Sequence, residues 1–230
     1  MFDIFKKSLI LAIFSVIFII CLSSSLSAAQ KKHIIVIDPA HGGQDDGVKL
    51  TDKITEKNVT LAIALAIQKE LARETDFEVV LTRNSDKSAT IDERRNTIFK
   101  IKPELLLSLH TNAGFGKEAE GFELYYPGFR DLEVDKKLAK KNIKNIKNKY
   151  LNDSVKLANL IKNNLYSVFP RKWRELREAD VPILEGVTVP GLVVEIGFAT
   201  NNEDKKKLLS ERSQTEIAKA LAKSIVLYFR

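Results

Sequence analysis

The stretch His33-Ile34-Ile35-Val36-Ile37-Asp38-Pro39-Ala40-His41-Gly42-Gly43 decides how this chain is read. Four consecutive β-branched residues, 34–37, mark a strand buried on both faces, which belongs in a parallel sheet covered by helices. The run ends at an acid and a proline, then an imidazole and two glycines. Two later apolar runs end in a similar way, Leu105 to Leu109 at His110 and Leu192 to Val194 at Glu195. Ligands in open α/β sheets gather outside the carboxyl ends of the strands, so these distant residues are expected to meet in one crevice.

Working outward, strand and helix patterns alternate. A glycine-rich loop, 42–47, leads to a helix over Glu56 to Arg73, with Val59, Ala62, Ile63, Ala66, Ile67 and Leu71 on one face and Thr55 as its cap. Phe77 to Thr82 reads as a strand, Ile91 to Lys100 as a helix, Glu104 to His110 and Gly121 to Tyr126 as strands. Ser154 to Phe169 is a helix with Val155, Leu157, Ala158, Ile161 and Leu165 on its apolar side, and Val181 to Leu184 and Gly191 to Ile196 are the last strands. Ile217, Leu221, Ile225 and Tyr228 space a closing helix. The expected fold is a single α/β domain, a mostly parallel twisted sheet with helices on both faces. Between the Gly121–Tyr126 strand and the next helix, residues 128–153 form a lysine- and asparagine-rich insertion that reads as a solvated excursion.

The first residues carry Lys6 and Lys7, an apolar stretch from Leu9 to Leu22, and small residues at Ser27-Ala28-Ala29, the pattern of a cleaved export signal over 1–29. The apolar run is shorter than the roughly 20 residues that span a bilayer, so membrane contact is expected only through this segment. The mature domain is then residues 30–230, expected to be exported to the periplasm or cell wall. Cys21, the single cysteine, leaves with the signal, so the domain must be held by its core, or by its core and a metal, rather than by disulfides. The net charge of +7 falls by one to +6 as Asp3, Lys6 and Lys7 depart. A basic exported protein suits an anionic envelope surface or polymer, and export argues against nucleic acid.

His41 and His110 with one carboxylate would leave a fourth position open for water on a hydrolytic zinc. Glu56, at a helix start just beyond the His41 loop, is a candidate third ligand; Asp45, Asp46 and Asp52 compete, and spacing does not separate them. His33, without an acidic neighbour in sequence, reads as structural. No G-x-S-x-G elbow, S-x-x-K, Walker loop or H-E-x-x-H helix is present.

At these residues the chain resembles the zinc-dependent N-acetylmuramoyl-L-alanine amidases of the Amidase_3 type, which cut peptidoglycan. The resemblance runs in order through Ile37-Asp38-Pro39-Ala40-His41-Gly42-Gly43, Glu56-Lys57-Asn58, Leu81-Thr82-Arg83 with Asp86, Ser108-Leu109-His110-Thr111-Asn112-Ala113, Gly121-Phe122-Glu123, and Glu195-Ile196-Gly197-Phe198 with Asn201. It implies His41, Glu56 and His110 as zinc ligands, Glu195 as catalytic acid/base, and cleavage of the amide between N-acetylmuramic acid and L-alanine. It also implies a possible activator protein acting on the 128–153 insertion, which in some relatives carries a helix that blocks the zinc; Asp131, Glu133 and Asp135 are the candidate plugs. Ala40 departs from the family's usual glycine, a source of strain if that position needs positive φ. Ile98-Phe99 departs from its usual Ala-Asn. The rival functions are another zinc peptidoglycan peptidase and a non-catalytic wall-binding derivative; the latter should have lost a ligand or Glu195, and all four residues are present.

Overall fold

The computed structural model describes residues 31–114, 116–127, 140–170 and 174–230, side chains excepted at 140–148, 174 and 175. The expected signal at 1–29 lies outside them, as do Asp131, Glu133 and Asp135. The elements are β1 (His33–Pro39), α1 (Glu56–Leu71), β2 (Phe77–Leu81), α2 (Ile91–Ile101), β3 (Leu105–Asn112), β4 (Phe122–Pro127), α3 (Lys140–Leu165), β5 (Arg174–Ala179), β6 (Gly191–Phe198), α4 (Asn202–Leu209) and α5 (Glu211–Phe229). They build a six-stranded sheet in the order β2-β1-β3-β6-β4-β5. Strands β2, β1, β3 and β6 run parallel, while β4 opposes β6 and β5 runs with β4.

Alternation along the buried strands sorts side chains onto two unequal faces. Ile35, Ile37, Leu105, Leu107, Leu109, Leu192 and Val194 enter the larger core, with residues of α1, α3 and α5. Val36, Leu106 and Val193 enter a smaller one, covered by Ile98 of α2 and by Ile183, Leu184 and Val187. By the same alternation Asp38, Ser108, His110, Glu195 and Glu123 take the parity of the thinly covered face.

Three elements differ from the sequence reading. The strand expected at Val181 to Leu184 is a single 3₁₀ turn, Pro182–Leu184, where proline has no N–H for a ladder and is set for a helical start. The strand lies earlier, at β5, whose Arg-Glu-Leu-Arg-Glu-Ala sequence lacks an apolar alternation because, among the described residues, it is an edge that pairs with β4 alone. The short α4, Asn-Glu-Asp-Lys-Lys-Lys-Leu-Leu, is too polar to show a stripe and is started by the Asn201 side chain, which accepts from the Glu203 and Asp204 amides.

A further difference concerns the insertion. Residues 140–153 continue α3 as one helix. Ser154 Oγ accepts from the amide of Gly191, the first residue of β6, while Phe169 beyond the helix packs on Phe122 at the start of β4. Because β4 opposes β6, Phe122 sits at the end of the sheet where β6 finishes. The helix therefore rises from the amino end of β6 towards its carboxyl end, and 140–153 prolong it roughly 20 Å the other way.

Candidate active site

The carboxyl ends of β1 and β3 and the amino end of α1 converge. Glu56, the first residue of α1, is 2% exposed and accepts on one oxygen, Oε1, from the Thr111 amide at 2.9 Å. The same oxygen lies 3.1 Å from His41 Nε2 and 3.1 Å from His110 Nδ1. Its other oxygen accepts from the Val48 amide at 2.9 Å. Backbone donors thus aim the carboxylate between two imidazoles, and the three ligand atoms lie within 4.8 Å of one another. Two imidazole nitrogens and a carboxylate oxygen are a donor set suited to zinc.

The competing acids separate cleanly in space. Asp45 stands behind His41, its Oδ2 2.8 Å from Nδ1, the orientation that fixes a ligating ring from outside the ligand set. Asp46 pairs with Lys57, whose ammonium also binds Asp86 and the Gly43 carbonyl. Asp52 pairs with Lys49 on the surface. His33 does have an acidic neighbour, Glu104 at 2.9 Å, brought from 71 residues away, and it stacks on Phe229 at the far end of the sheet.

The electrostatics follow from burial and convergence. The hydrogen bond with Glu56 raises His41 to about 9, against burial. Burial alone would raise Glu56, but hydrogen bonds from His110 and His41 outweigh it and hold the carboxyl at about 2. Glu195 is the β6 partner of His110 and the β6 partner of Glu123 on β4, so the three stand in a row across the sheet. Its Oε2 is buried with no hydrogen-bond partner. That burial pushes the Glu195 carboxyl up to about 7; His110 opposes the shift, and the charges of Glu56 and Glu123 add to it.

Sequence reasoning assigned no role to Glu123, which is 7% exposed and accepts from Asn112 Nδ2 at 2.8 Å and Tyr125 Oη at 2.7 Å. Its place two residues before Tyr125 on an alternating strand was the available signal. Gly47 was also passed over. With φ of +64°, a Cβ there would come 2.6 Å from both Glu56 Oε2 and His41 Cδ2, so the loop backbone packs directly on the site. The strain expected at Ala40 is instead at His41, a non-glycine residue with φ of +62°; Ala40 is not in the left-handed region. That conformation costs about 1–2 kcal/mol for an L-residue.

The chain is 32% identical over 201 residues to an uncharacterised cell wall amidase of Bacillus anthracis, covering 85% of this chain and 35% of that one. It spans about a third of that relative's length. Among solved structures it resembles an N-acetylmuramoyl-L-alanine amidase of Nostoc punctiforme, with a TM-score of 0.71 and 25% identity over 87% of this chain and 98% of the other. The CwlD amidase from Clostridioides difficile, solved in complex with the GerS lipoprotein, gives a TM-score of 0.68 at 25% identity, over 86% and 98% of the two chains. Residues 35–226 match the family model Amidase_3, described as N-acetylmuramoyl-L-alanine amidase, and with nearly the whole domain inside that match the chain belongs to this family of hydrolases.

Proposed function

We propose that this protein hydrolyses the amide between the lactyl group of N-acetylmuramic acid and L-alanine in peptidoglycan, with His41, Glu56 and His110 holding one zinc ion and Glu195 as the acid/base. The observation that carries the reading is the convergence of two imidazoles on one buried carboxylate, beside a glutamate whose buried oxygen has no partner. The zinc, when bound, supplies a Lewis acid that polarises the amide carbonyl and lowers the pKa of attacking water toward about 7.

The rest is done by the chain. Glu195 takes one proton from the water as its oxygen adds to the carbonyl carbon, and gives a proton to the alanine nitrogen as the C–N bond breaks. A carboxyl held near 7 suits both steps, since it neither keeps nor surrenders its proton too readily at neutral pH. Asp45 keeps the His41 ring in place, and the Asn112–Glu123–Tyr125 network fixes the wall of the crevice beside Glu195.

In this reading residues 1–29 are an export signal, 30–230 the catalytic domain, and the site of action the cell wall. Residues 140–153 of the insertion form a surface feature, supported by the direction in which they prolong α3, away from the carboxyl ends of the strands. A partner that acts on it would then work from outside the crevice. The test is mass spectrometry of purified peptidoglycan fragments after incubation with the protein and zinc. Release of stem peptides beginning with free L-alanine is expected; cleavage within the stem peptide would replace this reading with a peptidase.

A further inference from the structure

The His41 turn raises a question that the ligand set does not answer. A residue with a side chain persists in the left-handed region only where its surroundings over-determine it. Here the surroundings are two buried guanidiniums that bind three consecutive carbonyls. Pro39 O accepts from Arg83 Nε at 2.8 Å and from Arg94 Nη1 at 2.7 Å. Ala40 O accepts from Arg83 Nη2 at 2.8 Å and from Thr60 Oγ1 at 3.0 Å, and His41 O accepts from Arg94 Nη2 at 2.6 Å. Arg83 is 1% and Arg94 4% exposed, so neither is a surface cation that settled there by chance.

We propose that Arg83 and Arg94 are positioning residues that lock the His41 turn into its left-handed conformation and so form the metal site before any metal arrives. Arg94 spans the turn with two nitrogens of one rigid plane, on Pro39 O and His41 O. Returning His41 to an ordinary extended φ would swing its carbonyl off that plane and carry the imidazole away from Glu56. Arg83 ties the turn to α1, since Nη2 also reaches Lys57 O at 2.9 Å and Thr60 Oγ1 at 3.2 Å, one and four residues after Glu56. Arg94 ties it to β3, because its partner Asp38, 2.8 Å away, accepts from Ser108 Oγ at 2.7 Å, two residues before His110. The three ligand-bearing elements thus meet through two guanidiniums and one carboxylate. A lysine would keep the charge opposite Asp38, but its single nitrogen cannot reproduce the planar fork.

The metal half of this inference rests on the zinc reading above, so the test carries a readout that needs no metal. Arg94→Lys, Arg83→Lys and the milder Thr60→Val are compared with Leu157→Ala, a core change on α3 that lowers stability without touching the turn. Zinc affinity is measured by competition with a chromophoric chelator, and amide hydrogen exchange at Gly42 and Asp45, whose backbones bond each other at 2.8 and 3.2 Å, is followed in the metal-free protein. Both arginine variants should lose at least tenfold in zinc affinity and speed exchange at those amides at least tenfold, Thr60→Val should shift both less, and Leu157→Ala neither. Wild-type affinity and exchange in Arg94→Lys, or equal losses in Leu157→Ala, would overturn the proposal. If an arginine variant fails to fold, Thr60→Val decides, and wild-type values in it count against the clamp. A wild type that takes up no zinc, with exchange still accelerated in Arg94→Lys, would refute the zinc reading and leave the clamp standing.

Discussion

The two ends of the sheet carry the same pair of residue types and do different things with them. At the amino end of β1, His33 meets Glu104 with both side chains over a third exposed, and its ring stacks on Phe229. At the carboxyl end, His41 and His110 meet Glu56, which is almost wholly buried and held by two backbone amides. A histidine beside a carboxylate is therefore no sign of function. What differs is convergence on a desolvated anion whose remaining lone pairs are already committed, together with an unpartnered glutamate oxygen close by in the same crevice.

That contrast breaks first at Glu195. Glu195→Gln keeps the shape and removes the basic oxygen, and should cost roughly 10²- to 10⁴-fold in the rate of dye release from labelled peptidoglycan. Substitution of Gly47 should come next. Gly47→Ala forces a side chain into a left-handed position and against both His41 and Glu56, and a loss of about 2–4 kcal/mol is expected from strain and overpacking together, read as a lower Tm and weaker zinc retention.

The pH response of the metal-free protein sharpens the same contrast. His41 lies above its ordinary 6.5, at about 9, so its contribution is complete below about 6.5 and is lost as pH rises through about 9. Glu56 lies below its ordinary 4.5, at about 2, so its contribution is present above about 4.5 and is lost as pH falls through about 2. Melting curves in chelator should show Tm falling in both windows, and Glu56→Gln should flatten both. The smallest effect belongs to the other end of the sheet. His33→Ala should change stability by about 1 kcal/mol, from a stacked ring and an exposed ion pair, and leave the hydrolysis rate at the wild-type value.

Much of this was legible in the sequence because local chemistry and burial agreed. The 34–37 run could only be a strand covered on both faces, and each later run that ended in a ligand-type residue pointed to the same edge. Glu56 was readable as a candidate: the resemblance singled it out, whereas spacing alone did not separate it from Asp45, Asp46 and Asp52, and only the fold brings its oxygen within 3.1 Å of both imidazoles. Residues that act through others were not legible. Arg94 carries no signal in a polar helix, and its place beside the site shows only once two carbonyls of the His41 turn lie against it. The strain was misplaced by one residue, from Ala40 to His41, because backbone torsion depends on where those carbonyls find donors. β5 and α4 were missed because an edge strand and a short capped helix need little apolar pattern.

The central claim is a division of labour: His41, Glu56 and His110 hold the metal and Glu195 moves the proton. It is tested most directly by zinc stoichiometry and hydrolysis rate measured on the same preparations of wild type, His110→Ala and Glu195→Gln. The account predicts one zinc per chain in wild type and in Glu195→Gln, well below one in His110→Ala, with hydrolysis lost in both variants. A full equivalent of zinc retained by His110→Ala, or a Glu195→Gln protein that keeps more than about a tenth of wild-type turnover, would contradict it.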